Sequence, residues 1–196
     1  MSRWEPMLER VVAGRYPQLV AYGLLLAGSL ADAEDLVQDA LVSTFSGRAR
    51  FKTEAEAEAY VRRAIASRFV DTGRRRTTER RLLAREGAMA VRTTVEPPAV
   101  GIDPELAAAL ARLSPRERAC VVLRHMEDLS TKETAYALGL SEGSVKRYLA
   151  DGVAALTAAL DVQIGEYAPV GEAPSDLGSG RGGRPFRRPS TRKGGA

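Results

Sequence analysis

Cysteine and histidine are nearly missing from this chain, with Cys120 and His125 the single examples of each among 196 residues. One of each can form neither an internal disulfide nor a Cys/His metal centre, so no disulfide framework, metal or cofactor is expected. Cys120 lies in the apolar stretch Ala119-Cys-Val-Val-Leu123 and is expected to pack as a small hydrophobe. Aromatic residues make up only 6% of the chain, and alternating β-branched runs are absent, which argues against strands and for an all-α fold. Leu19 to Ala31 is uncharged and largely apolar, but thirteen residues do not span a bilayer. Glu5 and Glu9 mix with Arg3 and Arg10 ahead of it, unlike a secretory leader, so no membrane role and a cytoplasmic location are expected. With no phosphate-binding glycine loop, nucleophile–base pair or metal-ligand spacing, an enzyme is the least favoured class.

Charge is present but unevenly placed. The net charge is only +4, yet residues 29 to 60 hold seven acids against three bases, while residues 62 to 85 hold nine arginines against two acids. Either run alone would serve solubility; together they suggest one surface for a protein and another for nucleic acid.

The most informative stretch is Ser114 to Leu156, which reads as a helix-turn-helix. Ala135 supplies the small side chain where two steeply crossed helices touch, Gly139 the positive φ at their turn, and Ser141 the cap of the second helix. On that helix Val145, Leu149, Val153 and Leu156 form one apolar stripe. Gly143, Ser144, Lys146, Arg147 and Ala150 lie roughly opposite, a small and cationic face suited to phosphates and base edges.

Upstream, a helix near residues 5 to 30 is followed by one opened by Ser29-Leu-Ala-Asp32. In it Leu36, Val37, Ala40, Leu41 and Phe45 turn inward, and Asp32, Asp35 and Asp39 share an outer ridge beside Gln38. Paired acids can do acid–base work, but no histidine or pocket accompanies them, so the ridge reads as a protein-binding surface. The loop Ser46-Gly-Arg-Ala-Arg-Phe-Lys-Thr53 sets bases around Phe51, a composition that grips single-stranded DNA, although Phe51 could equally plug the core. A helix from Glu54 then buries Tyr60, Val61, Ala64, Ile65, Phe69 and Val70 on one side. Arg62, Arg63, Arg68, Arg74, Arg75 and Arg76 line the other, a ladder suited to neutralising phosphates.

Two helical domains are therefore expected, residues 5–85 and 104–162, joined by a flexible linker over 86–103 and followed by a disordered tail over 163–196. The linker contains Gly87, Pro97, Pro98 and Gly101; extended, its eighteen residues reach about 60 Å at roughly 3.4 Å each. From Gly165 onward twelve of thirty-two residues are Gly or Pro, with six bases after Gly180.

Four segments in this order resemble the extracytoplasmic-function group of the bacterial sigma-70 family, and its SigE-like members in particular. They are Ala31-Asp-Ala-Glu-Asp-Leu-Val-Gln-Asp-Ala40, Ala59-Tyr-Val-Arg-Arg-Ala-Ile-Ala-Ser-Arg-Phe-Val-Asp71 with its arginine run, Leu113-Ser-Pro-Arg-Glu-Arg118, and Gly139-Leu-Ser-Glu-Gly-Ser-Val-Lys-Arg-Tyr-Leu149. The resemblance spans about residues 8 to 160. It implies a factor that directs promoter-specific initiation, with core RNA polymerase and promoter DNA as partners. By position, Asp32, Glu34, Asp35, Gln38 and Asp39 would dock on the clamp helices of the largest β-type polymerase subunit, and the polymerase flap region would be a second contact. Arg48, Arg50, Phe51, Lys52, Arg62, Ser67, Arg68, Arg74, Arg75 and Arg76 would take the minus-10 element. Ser144, Lys146 and Arg147 would meet minus-35 base edges or phosphates, with Arg116 and Lys132 on the backbone. Thr134 stands where the family usually has an apolar residue and Ser67 where asparagine is common; any anti-sigma inhibitor would be a separate protein.

Two other classes share part of this pattern. A LuxR-type regulator has a similar Leu-Ser-Pro-Arg-Glu-Arg start and recognition helix, but needs a first half of alternating strands. A polymerase- or DNA-bridging protein without promoter specificity would also use an acidic ridge and a basic ladder.

Overall fold

The computed structural model describes residues 5–46, 50–85 and 103–160, with side chains described as far as 75 in the third helix. Seven helices make up these residues: α1 Glu5–Ala27, α2 Leu30–Phe45, α3 Glu54–Arg85, α4 Pro104–Arg112, α5 Pro115–His125, α6 Thr131–Leu138 and α7 Glu142–Leu160. The expected linker and tail lie outside the described residues, apart from Asp103 at the linker's end.

α1, α2 and α3 pack on one another as the first half of the chain. Gly28, at φ +82°, ends α1 in the left-handed conformation and returns its N–H to Leu24 O at 3.0 Å. Ser29 then caps α2 by accepting from Asp32 N. The return brings Gly23 of α1 against Ala33 of α2 so closely that a Cβ at Gly23 would sit 3.2 Å from Ala33 O. The inward set of α2 is as its period requires, with Leu36, Val37, Ala40, Leu41 and Phe45 all buried.

The second half is punctuated by side-chain caps. Asp103 caps α4, and reciprocal capping boxes open α5 (Ser114 with Glu117) and α6 (Ser130 with Glu133). α7 crosses α5 at Gly152, where a Cβ would lie 2.9 Å from a Val121 methyl. Leu149, Val153 and Leu156 of α7 pack against Leu110, Leu113 and Val121.

The two halves are packed together, which the expected flexible linker did not foretell. One core cluster holds Val37, Val61 and Ile65 of the first half with Cys120, Leu123 and Leu138 of the second, and Leu25 of α1 joins the α4–α5–α7 cluster. α3 shows the consequence. Ala64, Ile65, Ala66 and Ser67 are 0, 0, 0 and 3% exposed, and four consecutive buried positions mean a helix covered all round rather than on one side. Nearby, a Cβ on Gly73 would meet Pro115 Cγ at 2.7 Å, so α3 and α5 approach at the one side chain that is missing.

Two charged groups cross this seam. Arg118 of α5, 7% exposed, donates to Leu26 O at 2.6 Å and lies 5.7 Å over the Phe69 ring. Leu26 is in the last turn of α1, where carbonyls lack helical partners and no basic residue of α1 is present, so α5 supplies both the donor and the cation. Burial pulls the Arg118 pKa down to about 10, leaving it charged at neutral pH. Arg62 of α3 donates to Glu127 at 3.0 Å and Glu58 at 2.6 Å, and Arg15 of α1 reaches Glu58 at 3.2 Å. Burial disfavours the Arg62 cation, but Glu127 and Glu58 outweigh it and raise its pKa. Glu127 sits beside Asp128, whose φ of 50° makes the sharp α5–α6 turn that an Asp tolerates.

Candidate nucleic-acid and polymerase interfaces

The helix-turn-helix is held by local bonds throughout. Glu133 N donates to Ser130 Oγ at 3.2 Å while Ser130 N donates to Glu133 Oε2 at 2.9 Å, fixing the start of α6. Burial pushes the Glu133 carboxyl up, but its bonds from Ser130, with Arg63 and Arg124 nearby, hold it below its ordinary value. Gly139 takes φ 62°, ψ 42°, and Leu140 N reaches back to Ala135 O at 2.9 Å, closing the turn in the left-handed form that glycine permits. Ser141 then accepts from Ser144 N at 3.2 Å and starts α7.

On α7, Val145 is fully buried while Lys146 and Arg147 are exposed, as the stripe requires. Ser144 is half-buried and its hydroxyl lies 2.9 Å from that of Ser141, so it serves the cap. Lys132 is exposed at the start of α6. Arg116 reaches across from α5, donating to the Tyr148 hydroxyl at 3.0 Å, and Arg147 stands 5.0 Å over the same ring. Thr134, fully buried, leaves its hydroxyl without a partner, an unfavourable place for a polar group.

The α2 ridge is open to solvent. Asp35, Gln38 and Asp39 are exposed and Glu34 is half-buried; among the described residues no ion pair engages Asp35 or Asp39. Asp32 differs: its carboxylate accepts from Ser29 Oγ at 2.9 Å and takes part in starting the helix. Val42, 65% exposed, continues the ridge one turn beyond Gln38 and Asp39 and places an apolar side chain there.

The basic side of the first half is divided. Arg50, Lys52, Arg74 and Arg75 are exposed and Arg68 is half-buried. Arg62 is held by Glu58 and Glu127, Ser67 is buried, and Phe51 packs on Phe45 at 5.7 Å and Tyr60 at 5.3 Å, serving the core in this arrangement. Arg48 and the Arg76 side chain lie outside the described residues. Sequence reasoning passed over Tyr148, Arg118 and Glu127. The aromatic beside Arg147 was a usable signal for Tyr148, whereas nothing local marks Glu127 as a partner for Arg62.

Comparison with known proteins matches both halves. The family model "Sigma-70 region 2" covers residues 11–79 and "Sigma-70, region 4" covers residues 104–156. The RNA polymerase sigma-E factor of Streptomyces avermitilis is 34% identical over 154 residues, 78% of this chain and 84% of that protein. The chain belongs to the extracytoplasmic-function sigma-70 factors. The sigma-E factor of Streptomyces coelicolor is 33% identical across 76% of this sigma factor and 82% of its own length. The sigma factor SigM of Mycobacterium tuberculosis is 31% identical across 66% and 64%. For the fold, the sigma factor RpoE of Bartonella quintana, solved in complex with the anti-sigma factor NepR, superposes with a TM-score of 0.59 at 23% identity, covering 79% of this chain and 97% of that one.

The protein is thus a promoter-specific RNA polymerase sigma factor, whose partners are core RNA polymerase and promoter DNA, in a family of non-catalytic initiation factors. The receiver that a LuxR-type regulator needs has no place in a first half whose described residues are helical and match region 2. Among the described residues no helix is long and apolar enough to cross a membrane.

Proposed function

We propose that this sigma factor divides its work by charge, with α2 on the polymerase and α3 and α7 on DNA. Residues 5–85 and 104–162 are its two working domains, and it acts in the cytoplasm without catalysing a reaction itself. Asp35, Gln38 and Asp39, with Glu34 and Asp32 beside them, take the clamp helices of the largest β-type subunit, and Val42 adds an apolar contact among the carboxylates. The flap region takes the second domain. The observation that carries this reading is the separation of an open acidic face on α2 from an open basic face on α7 within one chain.

For the minus-10 element, Arg50, Lys52, Arg68, Arg74 and Arg75 are accessible as the domains stand. Arg62 joins them once the halves part, because Glu127 lies in the second half and only Glu58 then remains beside it; Ser67 is buried within α3, and Phe51 joins by turning out from Phe45 and Tyr60 of its own half. Arg48 and Arg76 extend the same ladder by sequence. For the minus-35 element, Lys146 faces the groove, with Ser144 beside it at the helix start reaching a phosphate only if it leaves its bond to Ser141, while Lys132 and Arg116 meet backbone phosphates. Footprinting with core polymerase tests the division. Protection at two spaced elements upstream of a defined RNA start supports it; even protection along any DNA would instead support a bridging protein.

A further inference from the structure

Arg116 and Arg147 belong to different helices, α5 and α7, yet both end on Tyr148. Arg116 donates to its hydroxyl at 3.0 Å with the guanidinium carbon 5.8 Å from the ring centroid, and Arg147 lies over the ring at 5.0 Å. Among the described residues no carboxylate pairs with either guanidinium. Two like charges held on one aromatic repel each other; the ring face and phenol oxygen offset part of that, and an anion between them would offset the rest. The hydrogen bond from Arg116 is the chief cause that lowers the Tyr148 pKa, with Arg147 adding to it and slight burial opposing.

We propose that Tyr148 is a positioning residue which gathers Arg116 and Arg147 into one clamp for a single backbone phosphate of the minus-35 duplex. It rests on the reading of α7 as the minus-35 helix, and of the two roles open to Arg147, base edge or phosphate, it takes the phosphate. The geometry favours this assignment. Base edges lie about 8.5 Å deep in the major groove, beneath the rims that carry the phosphates. An arginine folded onto a ring shared with α5 is turned toward the helix that flanks the groove, whereas Lys146 stays free on the exposed face of α7. Ordering both side chains before DNA arrives also spares the cost of immobilising two flexible cations on binding.

The test uses holoenzyme and a fluorescent minus-35 duplex, titrated with salt, together with duplexes altered one base pair at a time. Arg147→Ala should flatten the slope of log affinity against log salt by about 1, with the order of preference among duplexes unchanged. Arg116→Ala should do the same, and the double variant should flatten it no further, because the two share one phosphate. Tyr148→Leu should weaken binding several-fold on the wild-type background but hardly at all on Arg147→Ala, and Tyr148→Phe should fall between.

Loss of preference at one base pair in Arg147→Ala, at an unchanged slope, would make Arg147 a base reader and overturn the clamp. Additive slopes would do so too. A second readout needs no DNA. The Tyr148 phenol, isolated by subtracting the spectrum of Tyr148→Phe, should ionise below the ordinary tyrosine value and move up toward it in Arg116→Ala, with Arg147 still holding it down in part. An ordinary midpoint with minus-35 preference intact removes Tyr148 alone, whereas a holoenzyme with no minus-35 preference removes the duplex as the ligand whatever the midpoint.

Discussion

α2 and α3 are neighbouring helices of opposite charge with different fates in the folded chain. On α2, Asp35, Gln38 and Asp39 face solvent. On α3, Arg62 is spent on Glu58 and Glu127, and the middle of the helix is covered on all sides. The lesson is that a charged periodic face is open only if no later part of the chain folds over it. On the proposed division, the acidic ridge stands open for polymerase in the closed molecule, whereas Arg62 of the proposed minus-10 set is engaged by the contact between the halves.

The contact breaks most severely at Arg118. Arg118→Ala leaves Leu26 O without its donor, opens a cavity over Phe69 and removes the cation at the end of α1. Stability should fall by about 3 kcal/mol. Urea unfolding of the full chain measures this, and an unshifted midpoint would show that the buried guanidinium holds nothing together.

Reversing the open face should act on binding and spare the fold. Asp35→Lys with Asp39→Lys places two cations on the face proposed to meet the clamp helices, and affinity for core polymerase should drop by roughly 2–3 kcal/mol. The urea midpoint should stay near wild type, because neither residue has an ion-pair partner among the described residues. Wild-type affinity in a titration would remove the ridge from the interface; a collapse of stability would mean the face is not the open surface seen here.

Glu127→Gln sharpens the comparison, because it removes the charge that ties Arg62 to the second half, leaving Glu58 as its partner, without touching α3. The pair is largely shielded, so its loss should destabilise the chain by about 1.5 kcal/mol. Holoenzyme carrying it should nevertheless capture a single-stranded minus-10 oligonucleotide at least as tightly as wild type. Weaker capture would show that Glu127 supports the minus-10 surface rather than masking it.

What the sequence disclosed follows from the range of the forces involved. The cap at Ser141 and the turn at Gly139 act over three or four residues and were read directly; the capping boxes at Ser114 and Ser130 have the same short range, so they were within reach though not drawn. The outer face of α2, which needs only the helical period, was legible too. Ser67 shares its α3 face with Ala64 and Tyr60, at i−3 and i−7, so its burial was within reach of the same argument. The seam was not: Arg118 meets Leu26 across 92 positions and Arg62 meets Glu127 across 65, and no periodicity encodes such pairs. Of the candidate site, Lys146 and Arg147 were foreseen as outward, but their relation to Tyr148 depends on how α5 lies beside α7.

The smallest expected effect is in acid, and it tells the self-contained helix-turn-helix from the shared seam. Bonds from Ser130 hold the Glu133 carboxyl below its ordinary value near 4.5 despite the opposing effect of burial. The folded state therefore takes up that proton less readily than the unfolded chain. The cap's contribution is whole above the unfolded value and is lost as pH falls through the folded one. Glu133→Gln should lower the thermal midpoint slightly at neutral pH, and the difference from wild type should vanish in acid once the native carboxyl is protonated. A difference constant from neutral pH into acid would mean that Glu133 acts through packing, and that α6 depends on the surrounding helices rather than on its own first turn.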